Sequence, residues 1–106
     1  MINHLLISGL DVAVYTRERE SRPWLGRVVN VVDESQFTVH WYEKSGSKGL
    51  YNAISNNNAP FLSVIDNASV ILWAFSTRVS EFSFKVTSVM KEQIMSSYNY
   101  HDRCYI

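Results

Sequence analysis

The stretch from Pro23 to Glu43 constrains the fold more than any other. It holds two β-rich runs on either side of a polar break. The first run carries Val28, Val29, Val31 and Val32. In the second, Phe37, Val39 and Trp41 alternate with Thr38, His40 and Tyr42, which is the period of a half-buried strand. Asp33, Glu34 and Ser35 supply polar turn residues between them, although no Asn-Gly or Asp-Gly pair fixes the turn type. The pattern predicts a β-hairpin.

The rest of the chain adds shorter pieces to this hairpin. Residues 1–10 read as a leading segment or an extra strand. From Asp11 to Thr16, Val12 and Val14 lie on one face and Ala13 and Tyr15 on the other, which predicts the first strand. A charged loop, Arg17 to Arg22, leads to Pro23, which has no backbone N–H and suits the start of a strand. Lys44 to Gly49 reads as a flexible loop and Leu50 to Ile54 as a short returning strand. Ser55 to Pro60 breaks that strand, since asparagine tolerates left-handed backbone and Pro60 restricts the residue before it. Phe61 to Ile65 and Ser69 to Phe75 are apolar runs. The second is continuous enough to predict a central strand buried on both faces, and Ser76 to Ser83 then reads as loop.

Near the end, Phe84 to Val86 extends the sheet. Val86, Met90, Ile94 and Tyr98 follow at four-residue intervals with Val89 beside them, the stripe of a helix over about 87–100. Thr87 or Ser88 can cap it. The predicted class is mainly β: a small SH3-like barrel of five to six strands with a C-terminal α-helix, residues 11–106 forming one domain. A five-stranded OB-fold is the structural rival.

Composition narrows the function classes. A chain of 106 residues can bury a core without disulfides or a structural metal, which become usual only below roughly 40 residues. Three Trp, six Tyr and five Phe fill a small barrel and leave aromatics over for a binding surface. Ten basic residues balance ten acidic ones, without the basic excess that phosphate-driven nucleic-acid binding draws on. The single Cys104 allows no internal disulfide and fits a reducing compartment. Leu5 to Ile7 is far shorter than the ~20 apolar residues of a membrane span, so the expectation is a soluble protein without a membrane partner.

At Asp11-Val-Ala-Val-Tyr15, Pro23-Trp-Leu-Gly-Arg-Val28 and Phe37-Thr-Val-His-Trp-Tyr-Glu43 the chain resembles the opening of chromatin-associated SH3-like barrels. The bromo-adjacent homology domain has a comparable first strand, a Pro-aromatic step, Gly or Ala before Arg-Val, and a strand reading Val-x-Trp-aromatic. Tudor, chromo-barrel and PWWP domains have related versions. The chain is shorter than a usual bromo-adjacent homology domain and lacks its later Trp and Pro-Glu landmarks. Leu25-Gly26 also stands where PWWP domains continue with Trp-Pro. The resemblance is therefore to a divergent Tudor-like or chromo-barrel-like unit. It implies a nuclear, non-enzymatic interaction module without a cofactor, with a cytoplasmic location as the alternative. The module would bind histone tails or other peptides, and methylated lysine or arginine in an aromatic cage. The family pattern places cage residues at Tyr15, Trp24, Tyr42 and Tyr51, with Glu43 as the nearest carboxylate.

Such a cage works because a quaternary cation is drawn to ring quadrupoles and donates few hydrogen bonds. The same rings could instead pack the barrel. Trp41 shares a face with Phe37 and Val39, and Trp73 lies in a continuous apolar run, so both read as core. Tyr15 and Tyr42 fall on the opposite face and should point away from the core, and Trp24 could plug the barrel's end. His40, on the outward face, reads as a surface or cross-strand histidine with no Asp, Ser or Cys spaced to partner it in catalysis. His101, Asp102 and Cys104 lack a second pair of metal ligands and read as a frayed tail. Gly46 and Gly49 lack the lysine-serine spacing of a phosphate loop. Two alternatives stay open. One is a nucleic-acid-binding barrel that uses Arg17, Arg19, Arg22, Arg27, Lys44 and Lys48 on one rim, opposed by Glu18, Glu20 and Glu43. The other is a plain protein–protein module whose sheet edge takes an extended peptide.

Overall fold

The alternation that begins at Asp11 leads into a sheet that is covered on both faces over β1 and the adjoining parts of β2 and β3. A computed structural model describes residues 9–15, 23–46, 49–73 and 76–104, the last four by backbone alone. In chain order the strands are β1 (Asp11–Val14), β2 (Trp24–Val31), β3 (Gln36–Lys44), β4 (Leu50–Ala53), β5 (Ser55–Asn56) and β6 (Ala59–Pro60). They continue with β7 (Leu62–Asp66), β8 (Val70–Trp73), β9 (Thr77–Ser80) and β10 (Ser83–Lys85), and α1 (Ser88–Cys104) closes the chain. The predicted hairpin is the antiparallel pair β2 and β3, with Leu25 opposite Tyr42 and Val31 opposite Phe37. Asp33 fixes its turn. The Asp33 carboxylate accepts from the backbone N–H of Ser35 at 2.8 Å and of Gln36 at 2.9 Å, and the bond from the Ser35 backbone leads in holding the Asp33 pKa below its ordinary value.

The sheet turns around β3. One edge of this strand pairs with β2. The other edge is divided, β7 lying against Gln36–His40 and β4 against Tyr42–Lys44. β1 lies on β2, β8 returns to β1, and β10 with β9 continues from β4. The result is a curled antiparallel half-barrel, a small SH3-like barrel. A 3₁₀ turn at Asn67–Ser69 joins β7 to β8. Ahead of β1, Gly9 donates to the Val28 carbonyl and Val28 donates to the Leu10 carbonyl, so the pairing with β2 begins before Asp11.

Several expectations are corrected here. The main sheet has eight strands rather than five or six. Part of the excess is β9, which falls in the stretch read as loop; its four residues are all exposed, so burial left no apolar alternation to read. The break predicted at Ser55–Pro60 is found, with Asn57 at φ 53° and Asn58 at φ 64° in left-handed backbone as expected, and it also forms a tight hairpin, β5–β6, that the sequence reading did not include. The run around Val70–Trp73 is not a central strand, because among the described residues β8 pairs only with β1 and ends the strand order. It is apolar throughout because it serves two cores: Val70 and Trp73 pack into one, Ile71 and Leu72 into the other.

The first core fills the barrel. Val12, Val14, Val28, Phe37, Val39 and Trp41 are all at most 3% exposed, and burying each such side chain contributes about 1.5–3 kcal/mol. Trp73 packs against it half-buried, its ring 5.5 Å from Phe37. The second core covers the opposite face of the same strands. It is built on Ala13, Leu25 and Tyr42, with Phe84 and Val86 from the end of the sheet and Ile94 from α1. The helix stripe forms as predicted at Val86, Ile94 and Tyr98, with Met90 half-buried, but Val89 is exposed. Thr87 caps the helix by accepting from the Met90 backbone N–H at 3.2 Å. The helical backbone runs to Cys104, past the predicted end and through the residues read as a frayed tail.

Candidate functional site

The β2–β3 ladder ends at Leu25 opposite Tyr42, while β3 runs on to Lys44 with β4 on its other edge. A pocket of about 340 Å³ lies at this split. Alternation along β3 gives the pocket two unlike sides. Trp41 and Glu43 follow one another on the barrel face, where Trp24 also sits, whereas Tyr42 and Lys44 lie on the helix face beside Tyr51. Ile54 and Phe61 complete the barrel side, and α1 contributes Lys91, Ile94 and Met95.

The two indoles stand nearly perpendicular, their centroids 5.3 Å apart at 84°, the edge-to-face arrangement that the ring quadrupole favours. Trp41 is held by an indole N–H bond to Ser63 Oγ at 2.8 Å. Its ring reaches this position because Gly26 faces it across the ladder. A Cβ on Gly26 would meet Val39 Cγ1 at 2.4 Å and the His40 carbonyl at 2.8 Å.

Behind the helix side of the pocket, Tyr42 stacks on Phe84 at 4.5 Å and 20°, and Tyr51 stacks on Phe84 at 5.6 Å and 24°. The Arg27 guanidinium lies 5.4 Å from the Tyr42 ring centre and 5.6 Å from that of Phe84. It donates to Asp11 Oδ1 through Nε at 3.2 Å and Nη2 at 3.0 Å, and through Nη1 to the Glu81 carbonyl at 3.2 Å and the Tyr42 hydroxyl at 3.3 Å. Ser76 Oγ donates to the other oxygen of Asp11. Burial pushes the Tyr42 pKa up, with Arg27 opposing the shift.

The predicted cage residues divide accordingly. Trp24, Tyr42, Tyr51 and Glu43 line one pocket. Tyr15 does not; its ring meets Tyr98 of α1 at 5.4 Å. Tyr42 is on the face opposite Trp41, as expected, but it does not point into solvent. It is 6% exposed, because β10 and α1 cover that face. His40 is not outward either, because Phe82 and Ile54 close over it. It is 7% exposed, its Nε2–H donates to the Ile54 carbonyl at 2.9 Å, and its ring meets Tyr42 edge-on. Arg27 is buried with Asp11 and leaves the proposed basic rim, while Arg17, Arg19, Arg22 and Lys48 lie outside the described residues.

The sequence reading missed Ile54, Phe61 and the helix residues of the pocket. The Met90–Ile94 stripe placed α1 against the sheet, but no signal indicated that its neighbours Lys91 and Met95 would reach the split. Among the described residues no three metal-ligating side chains cluster, and no helix is long and apolar enough to cross a membrane. Comparison with family models, curated proteins and solved structures finds no match to this chain.

Proposed function

We propose that the protein is a non-enzymatic interaction module that takes a methylated lysine or arginine side chain of a peptide into the pocket between Trp24 and Tyr51. The observation that carries this reading is the perpendicular Trp24–Trp41 pair with Glu43 and Tyr51 on the same pocket. Trp24 and Tyr51, both half-buried, offer ring surface to a cation, with the buried Trp41 as the floor that holds Trp24 upright, and the carboxylate adds Coulomb attraction. A volume near 340 Å³ accommodates one long side chain and excludes a folded partner. Histone tails are the first partners to test, because the resemblance of the Pro23–Glu43 hairpin is to chromatin-associated barrels.

The test is an amide-shift titration of the full chain with methylated and unmodified histone-tail peptides, with a DNA duplex as control. Methylation-dependent shifts around Trp24, Glu43 and Tyr51 are expected. Trp24→Ala should weaken binding by roughly two- to thirtyfold, the range for loss of one cation–π partner, without unfolding the domain, since Trp24 is only half-buried. Shifts indifferent to methylation, or a response to DNA alone, would refute this reading.

A further inference from the structure

The pocket carries charges of both signs, and they are segregated. Glu43 continues the barrel face that bears Trp41, so its carboxylate belongs to the tryptophan side. Lys44, one residue further along β3, projects to the helix side, opposite Tyr51 in the register. Lys91, in the first turns of α1, lines the pocket from that same side. Both lysines are exposed, and none of the carboxylates of the described chain lines the pocket besides Glu43. The first turn of α1 holds no acidic residue to offset them, and the positive end of the helix dipole adds to the same field.

A ligand in this site meets apolar and aromatic walls with a carboxylate on one side and two ammonium groups on the other. From this arrangement we infer that the partner is a peptide in which the methylated basic residue is directly flanked by Asp or Glu. The cation sits against Trp24, Trp41 and Glu43, and the neighbouring carboxylate faces Lys44 and Lys91. This rests on the cage reading above and adds to it a sequence preference in the partner. The carboxylate is placed next to the cation in the peptide because Lys44 directly follows Glu43 on β3 and both line the same pocket. A flanking lysine would be repelled by the same pair, so the lysines also select against basic tails.

The test uses three trimethyl-lysine peptides that differ only in the flanking residue, Asp, Ala or Lys, together with the unmethylated form of each, titrated into the full chain with tryptophan fluorescence and amide shifts as readouts. The Asp peptide should bind about three- to tenfold tighter than the Ala peptide at low salt, two exposed ion pairs each contributing a small factor. The gain should shrink as salt is added. In Lys44→Glu/Lys91→Glu the order should invert, with the Lys-flanked peptide binding best. Both positions are exposed, and the amide spectrum of the unliganded variant checks that the fold is kept. Equal affinity for all three peptides in both proteins would overturn the flanking preference and leave the cage reading standing. Binding that ignores trimethylation would overturn the cage reading itself.

Discussion

Removing the Asp11 carboxylate tests whether the second core is as dry as its geometry implies. Asp11 and Arg27 sit directly opposite on β1 and β2, with side chains 10% and 7% exposed. In Asp11→Ala the guanidinium keeps the Glu81 carbonyl and the Tyr42 hydroxyl but loses the only formal negative charge it contacts among the described residues. Breaking a buried pair from one side costs about 3–5 kcal/mol, because the remaining charge stays desolvated. That is a large part of the 5–15 kcal/mol that holds a typical domain folded. For a domain near 100 residues it corresponds to a drop in Tm of about 15–25 °C. Urea denaturation followed by tryptophan fluorescence gives the free energy, and thermal circular dichroism gives Tm. The double variant Asp11→Val/Arg27→Met should recover most of the loss, since no charge is stranded and the volume is roughly kept. A loss below about 1 kcal/mol in the single variant would refute the argument, because the pair would then behave as an exposed one. A double variant as unstable as the single would show that lost volume and neutral hydrogen bonds, not the charge, carry the cost.

Two further substitutions probe the walls of the pocket. Gly26→Ala should destabilise by about 1–3 kcal/mol, the range for overpacking, because Val39 can rotate away from the new methyl but the His40 carbonyl in the ladder cannot; an unchanged thermal midpoint would mean the two strands are more loosely joined than their register indicates. Tyr42→Phe should change the alkaline limb of the stability profile. Burial raises the Tyr42 pKa above its ordinary 10.0, so its contribution is fully present below pH 10 and is lost as pH rises through the folded value. Urea midpoints between pH 8 and pH 11 should fall more steeply for the native chain than for the variant, and parallel curves would exclude the phenol as the cause.

The hairpin, the first strand and the helix stripe were legible because each has one apolar face with a fixed period. Phe37, Val39 and Trp41 could be assigned to the core for that reason, and they are buried. The opposite face was misjudged because its residues are polar or amphipathic. Asp11, Arg27, His40 and Tyr42 look like a solvated surface in a one-strand pattern, yet all four are buried, with Glu81, Phe82 and Phe84 from β10 and the turn before it packed against Arg27, His40 and Tyr42. The partners found for their polar groups lie 14 residues or more away along the chain, as for His40 with Ile54 and Arg27 with Tyr42 and Asp11, and local periodicity cannot register pairs at that separation. The same limit hid Lys91 and Met95 from the pocket. Tyr15 was placed in the cage by the family pattern, and the helix stripe that holds Tyr98 was visible in the sequence, but its angle across the sheet was not.

The two-core arrangement also decides how the candidate site has to be tested. Tyr42 lines the pocket, but its ring is stacked on Phe84 and its hydroxyl accepts from the buried Arg27. Truncating it to alanine removes a core aromatic, at about 3–5 kcal/mol for a large buried ring, and strands part of the Arg27 network as well. Loss of peptide binding in that variant would therefore say nothing about recognition. Trp24 and Glu43 differ, since neither is buried and Glu43 lies at the rim. Trp24 leans on Trp41 from outside the first core, so its removal deprives the pocket of a wall while the Trp41–Ser63 bond and the Gly26 contact stay in place. A binding defect confined to Trp24→Ala and Glu43→Gln, with denaturation midpoints unchanged, separates ligand contact from folding at this site.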